Sequence, residues 1–99
     1  MNESPVVHIY TTRWCGYCTA ARNLLNKKGV QYEDIDVGTD RKLRQKMTEL
    51  SGRRTVPQIF IDAQPVGGYD DIAALDASGE LDAMLGLDQS ASEGSDEQS

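Results

Sequence analysis

Cysteine is scarce in this chain: two in 99 residues, Cys15 and Cys18. Two are too few for a disulfide-stapled secreted scaffold, and too few for a complete structural zinc site. Histidine is scarcer still. His8 is the single one, and it lies inside an apolar run where it reads as a strand residue rather than a ligand. No apolar run approaches the ~20 residues that a membrane span needs. The opening MNESPVVHIY has neither a basic n-region nor an apolar h-region, so no secretory signal is expected there. Bases are outnumbered, ten against sixteen acids, for a net charge of −6. That balance argues against charge-driven binding of DNA or RNA.

What is present suffices for one domain with one modest core, since 38% of the residues are hydrophobic. The acidity is uneven. Residues 88–99 carry four acids, Asp88, Glu93, Asp96 and Glu97, and no base, leaving twelve acids and ten bases in residues 1–87. The end of the chain is rich in Ser, Glu, Asp and Gln without apolar periodicity. The expectation is a folded domain over 1–87 and a disordered acidic tail over 88–99. No internal repeat is visible.

Residues 5–10 read as a buried strand, with Val6, Val7, Ile9 and Tyr10 following Pro5. A helix is expected to begin at Cys15-Gly16-Tyr17-Cys18, with Tyr17, Ala20, Ala21, Leu24 and Leu25 on one face and Gly29 ending it. Val30 to Val37 reads as a second strand. Thr39 or Asp40 can cap a second helix whose apolar stripe is Leu43, Met47 and Leu50, and Gly52 stops it. Gln58 to Ile61 is a third strand, followed by a turn into a short strand around Val66. Tyr69-Asp70-Asp71 opens a third helix with Ile72 and Leu75 inward, and a last short helix runs from Glu80 to Leu85. The order is β-α-β-α-β-β-α. Helices between the first three strands imply parallel pairing through right-handed crossovers, and the last two strands are close enough for a hairpin.

The chemistry sits in the Cys-x-x-Cys pair. A thiolate is the reactive form of cysteine, and free cysteine ionises near pH 8.5. Cys15 stands where strand gives way to helix, and unpaired N–H groups with the helix dipole favour an anion there. Arg13, and Arg53 or Arg54, can bring positive charge nearby. Cys15 is therefore the expected nucleophile. Cys18, one turn in and less exposed, is the expected resolving thiol. Zinc would need two further ligands, and His8 is the only other candidate. A Cys-x-x-Cys directly after the first strand of a βαβ unit is a strong redox signal.

Two further segments stand out. In Thr55-Val56-Pro57, the proline either punctuates the start of a strand or forms a cis bond. The cis form would expose the Val56 backbone N–H and C=O for strand-like pairing with an extended peptide. In Gly67-Gly68-Tyr69-Asp70-Asp71, the glycines allow close backbone approach and the helix N-terminus can hold a carboxylate. Asp70 and Asp71 can also cap that helix. Trp14 is expected to shield the motif or pack on the domain surface. Arg41, Lys42, Arg44 and Lys46 read as a solvated helix face.

Taken together and in this order, Cys15-Gly16-Tyr17-Cys18, Thr55-Val56-Pro57 and Gly67-Gly68-Tyr69-Asp70-Asp71 resemble the motifs of glutaredoxins, over residues 5–87. The stretch from Gly52 to Asp62 particularly resembles the small bacterial glutaredoxins of the third type. The resemblance implies an α/β thioredoxin-like (glutaredoxin) fold with a four-stranded mixed sheet flanked by helices. It implies a glutathione-dependent thiol–disulfide oxidoreductase, with glutathione as co-substrate and glutathionylated or disulfide-containing proteins as partners. The expected setting is a monomer in the cytoplasm, apart from membranes and nucleic acid.

Carried over residue by residue, the resemblance makes Cys15 and Cys18 the catalytic pair. Val56 would pair with the cysteinyl unit of glutathione, beside Thr55 and the cis Pro57. Gly68, Tyr69, Asp70 and Asp71 would take the γ-glutamyl end, the last through its side chain. Tyr17 would border the groove, and Gln58 is a weaker candidate. Two positions depart from the family pattern. Gly16 replaces the usual proline, which leaves the helix start less rigid. Thr12 replaces a common lysine, so Arg13, one residue on, is the candidate for that role. Loss of the proline is in some members associated with a glutathione-ligated [2Fe–2S] cluster shared by two subunits, which is the alternative reading. The Arg41–Lys46 cluster would help attract anionic glutathione.

Overall fold

The structure is a computed structural model and describes residues 5–87. The expected acidic tail therefore lies outside the described residues. Eight elements follow one another: β1 (Val7–Thr11), α1 (Gly16–Lys27), β2 (Glu33–Asp36), α2 (Arg41–Ser51), β3 (Gln58–Ile61), β4 (Gln64–Gly67), α3 (Tyr69–Ser78) and α4 (Glu80–Met84).

The sheet order is β2-β1-β3-β4. β1 and β2 pair in parallel, as the intervening helix predicts. β3 does not follow: it runs antiparallel to β1, with Tyr10 opposite Gln58 and Val7 opposite Ile61. Parallel pairing of all three strands was the wrong expectation. The register gives the reason. β2 leaves the sheet beside Thr11, and β3 enters it beside Tyr10, so departure and re-entry share one end of the sheet. The connection through α2 doubles back instead of crossing to the far end. The sheet is mixed.

Alternation along the strands makes the sheet two-faced. Val7, Ile9, Ile59 and Ile61 point to one face and form the larger core with Ala21 and Leu25 of α1, Ile72 of α3, and Leu81 and Leu85. Tyr10 and Phe60 point to the other and pack with Val37 and with Met47 of α2. Their rings meet edge to face at 5.4 Å. Burying each large aliphatic side chain contributes about 1.5–3 kcal/mol.

Helix limits follow local signals. Asp40, not Thr39, caps α2: its Oδ1 accepts from the Leu43 N–H at 3.0 Å. Gly52 ends that helix in the left-handed region, φ 78°. In α1 the buried residues are Cys18, Ala21 and Leu25, with Leu24 packed against the core. Tyr17 leaves the expected stripe and is 63% exposed, and Leu50 leaves the stripe of α2 at 51% exposed. Each belongs to a terminal turn of its helix. β2 is shorter than expected because Val30 and Tyr32 pack on the core before the strand begins. The β3–β4 hairpin turns at Asp62 and Ala63, both at positive φ (52° and 68°). Pro65 sits in the outer strand, where no second neighbour needs its missing N–H.

Candidate active site

Cys15 is the N-cap of α1, in extended conformation, and its Sγ accepts from the Cys18 N–H at 3.2 Å. No acid occupies the first turn of this helix. The sulfur thus faces N–H dipoles without a competing negative charge on the helix end, an arrangement that stabilises an anion. Cys15 is half-buried, whereas Cys18 is fully buried, and both are free thiols. Burial pushes the Cys18 thiol up to about 12. Its hydrogen bond with Cys15 acts in the same direction, and the Thr12 backbone N–H opposes it. Arg22, one turn beyond Cys18, is held by Asp34 (Nε to Oδ2, 2.6 Å), and Thr11 Oγ1 donates to the other oxygen of Asp34 at 2.6 Å. This ties α1 to β2 behind the buried thiol.

The segment 52–57 brings Val56 to the Cys15 sulfur. The Val56–Pro57 bond is cis, and the Val56 carbonyl oxygen lies 3.9 Å from Cys15 Sγ. Gln58 is buried, and its Nε2 donates to the Thr55 carbonyl and hydroxyl. It therefore braces this segment rather than lining a groove, and the weaker candidacy given to it falls.

The opposite wall is the start of α3. A Cβ at Gly68 would stand 3.2 Å from the Pro57 carbonyl oxygen, and a Cβ at Gly67 would collide with the Asp71 carboxyl. These glycines let α3 close on the 52–57 segment. Asp71 Oδ2 accepts from the Gly68 N–H at 2.9 Å and from Arg53 Nη1 at 3.0 Å. The Gly68 N–H first, then Arg53, hold the Asp71 carboxyl below the usual carboxylate range. Asp71 thus caps α3 and faces the groove at once. Tyr69 stacks on Tyr17, ring centroids 6.3 Å apart and 27° between planes, so two tyrosines wall the groove beside Cys15. Asp70 is exposed next to them.

Arg13 precedes Cys15 by two residues. It lines a cleft of about 280 Å³ with Thr12, Trp14, Asp36, Gly38, Thr39 and Arg44. Trp14 is 89% exposed at the edge of this cleft and is not packed into a core. Two arginines behave unlike the sequence reading. Arg53 is turned to Asp71 rather than to Cys15. Arg44 reaches the Arg54 carbonyl (Nη2, 3.1 Å) and lines the Arg13 cleft instead of lying on a purely solvated face. The available signal was that both flank the 52–57 segment, one from the preceding helix and one from within. Among the described residues, no group of three or more His, Cys, Asp or Glu side chains gathers to hold a metal ion. None of the described helices is long and apolar enough to cross a membrane.

Comparison with known proteins gives the same direction. Residues 7–66 match the family model Glutaredoxin. The chain is 51% identical over 79 residues to glutaredoxin 3 of Escherichia coli K12, covering 80% of this chain and 95% of that one. The solution structure of glutaredoxin from Brucella melitensis superposes with a TM-score of 0.77 at 44% identity, over 87% of this chain and 94% of that chain. A buckwheat glutaredoxin–glutathione complex superposes with a TM-score of 0.76 at 26% identity, over 83% of this chain and 77% of that chain. These relatives support a thiol–disulfide oxidoreductase role. On its sheet order, its family-model match and its identity to glutaredoxin 3, the chain belongs to the glutaredoxin family.

Proposed function

We propose that this protein reduces protein–glutathione mixed disulfides and protein disulfides with glutathione as co-substrate, working as a monomer in a reducing cytoplasm. The observation that carries the reading is the position of Cys15 Sγ, 3.9 Å from the Val56 carbonyl oxygen in a groove closed on its far side by Gly68 to Asp71. An extended tripeptide fits such a groove. Its cysteinyl backbone pairs with Val56 beside Thr55 and Pro57, as a short added strand. Its γ-glutamyl end meets Gly68, Asp70, Asp71 and the wall of Tyr17 and Tyr69. Its glycyl carboxylate points toward the Arg13 and Arg44 cleft. The buckwheat glutaredoxin complexed with glutathione supports the choice of ligand.

The chemistry is thiol–disulfide exchange. The Cys15 thiolate attacks the glutathione sulfur of a protein mixed disulfide. A bond forms between Cys15 Sγ and that sulfur, the original S–S bond breaks, and the protein thiolate leaves and takes a proton from solvent. A second glutathione, as thiolate, attacks the glutathionyl sulfur, releasing oxidised glutathione and Cys15. For a protein disulfide, Cys15 forms the mixed disulfide and Cys18 resolves it. Cys18 passes its proton to the departing substrate thiolate as its sulfur bonds to Cys15 Sγ, and two glutathiones then reduce the Cys15–Cys18 disulfide and leave as oxidised glutathione. Cys18 is a poor thiolate source at neutral pH because burial keeps it protonated, so this branch is the slower one.

The test is glutathione-coupled turnover of a small glutathione mixed disulfide and of a protein disulfide. Cys15→Ser is expected to lose both activities, by at least about a thousandfold. Cys18→Ser is expected to keep the first and lose the second. A folded wild type inactive on both substrates would refute the reading. Brown protein with Cys15-dependent visible absorption after anaerobic purification would move the assignment to the glutathione-ligated [2Fe–2S] alternative, for which the buried Cys18 is unsuited as a ligand.

A further inference from the structure

Arg22 stands beside the thiol that the groove does not expose. It follows Cys18 by one turn of α1, so the two share a helix face. Cys18 is fully buried, and the side chains of Arg22 and its partner Asp34 are 26% and 35% exposed. Arg22 Nε donates to Oδ2 of Asp34, in β2, at 2.6 Å. Oδ1 of the same carboxylate accepts from the buried Thr11 hydroxyl of β1, also at 2.6 Å. Both carboxylate oxygens are engaged, so two strands fix where the guanidinium stands. The next residue in the chain, Thr12, reaches the Cys18 sulfur with its backbone N–H. Burial is the main influence on the Cys18 thiol and disfavours its thiolate, and the Arg22 charge acts in the opposite sense. The influence is mutual, since a Cys18 thiolate favours the charged form of Arg22. Other paired cations are turned elsewhere: Lys28 to Asp76 and Asp82, and Arg53 to Asp71.

We propose that Arg22 is a positioning residue for the resolving step, holding a fixed positive charge beside Cys18 that eases the attack of its sulfur on Cys15 Sγ. Asp34 sets where that charge stands and partly offsets it. The assignment rests on the two-cysteine branch of the function proposed above. In that step the Cys18–Cys15 S–S bond forms and the bond from Cys15 Sγ to the outgoing sulfur breaks. The Cys18 proton passes to the outgoing thiolate. Negative charge that develops on the Cys18 sulfur meanwhile lies in a poorly screened interior, where a nearby cation acts more strongly than in water. The one-cysteine branch leaves Cys18 untouched, so Arg22 has no part in it.

The test isolates that step in the full chain. Cys15 is loaded in acid with a glutathionyl group or, from an aromatic disulfide reagent, with a coloured thionitrobenzoate group. Each adduct is then brought to neutral pH without added thiol, and release of the small thiol is followed in a single turnover. Arg22→Met, which keeps the apolar stem, is expected to slow release from both adducts by about three- to tenfold. Arg22→Lys is expected to restore part of the rate. Asp34→Asn removes the offsetting charge while leaving an oxygen for Arg22 Nε, and is expected to release at least as fast as wild type. Glutathione-coupled turnover of a small glutathione mixed disulfide by the Arg22 variants should stay within about twofold of wild type, which also shows that they are folded. An unchanged release rate in Arg22→Met would overturn the assignment. So would an equal slowing in Arg22→Met and Asp34→Asn, which would make the pair only a tie between α1 and β2. A wild type that releases thionitrobenzoate but does not turn over the glutathione mixed disulfide would refute the glutathione reading, and the thionitrobenzoate adduct would still decide the role of Arg22.

Discussion

Cys15 and Cys18 stand one helical turn apart, yet the first is half-buried at the groove and the second is shut in the core. The difference has a consequence for stability. The Cys18 thiol ionises near 9.0 when unconstrained and near 12 in the folded protein, chiefly because burial penalises the thiolate. Between those values the unfolded state has lost a proton that the folded state keeps, so rising pH favours unfolding. The contribution is complete below about pH 9 and is lost as pH climbs toward about 12. Urea unfolding of the reduced protein should show stability falling above about pH 9, with a shallower fall in Cys18→Ala. Equal slopes in the two proteins would contradict the buried-thiol account.

Elements depend on a few local features, and three of them lend themselves to measurement. Asp40 Oδ1 caps α2 through the Leu43 N–H. Asp40→Ala should cost about 1 kcal/mol in the urea-derived stability. Ala63 occupies the left-handed region, φ 68°, in the β3–β4 turn, where a Cβ is unfavourable. Ala63→Gly should therefore stabilise by about 0.5–1 kcal/mol, against the usual direction for glycine in a chain. A third device joins elements distant in sequence. Lys28, just past α1, reaches Asp76 of α3 at 2.6 Å and Asp82 of α4 at 2.8 Å. Lys28→Met should lower the unfolding midpoint at low salt more than at high salt.

At the scale of the whole molecule, the sheet separates two cores, and the larger joins β1 and β3 to α1, α3 and α4. Leu25 and Ile59 are fully buried there. Leu25→Ala should cost about 2–5 kcal/mol, enough to threaten a domain of this size. The domain proposed over residues 1–87 should retain the unfolding midpoint and the turnover of the full chain when residues 88–99 are deleted. A lower midpoint or turnover would show that the acidic tail serves the fold or the site.

Much of this was legible from local pattern. The position of α1 after β1, a cap for α2 at Thr39 or Asp40, the stop at Gly52, the inward Ile72 and the buried strand Gln58–Ile61 all follow from signals a few residues wide. So does the placing of one thiol at a helix start, with a second one turn inside. Other features depend on residues far apart in the chain. The direction of β3 follows from where its connection re-enters the sheet, and helix–strand alternation alone does not encode that. Tyr17 and Leu50, in the terminal turns of their helices, are exposed although their spacing matches the buried stripe. The partnership of Arg53 with Asp71 joins positions 18 residues apart. The amino-acid sequence by itself determined the order of the elements, the Cys15 and Cys18 pair at a helix start and the family, because capping, periodicity and motif spacing act within a turn or two. Only the tertiary structure decided which arginine faces which wall of the groove and how deeply each thiol is buried, because burial and charge pairing depend on which distant segments pack together.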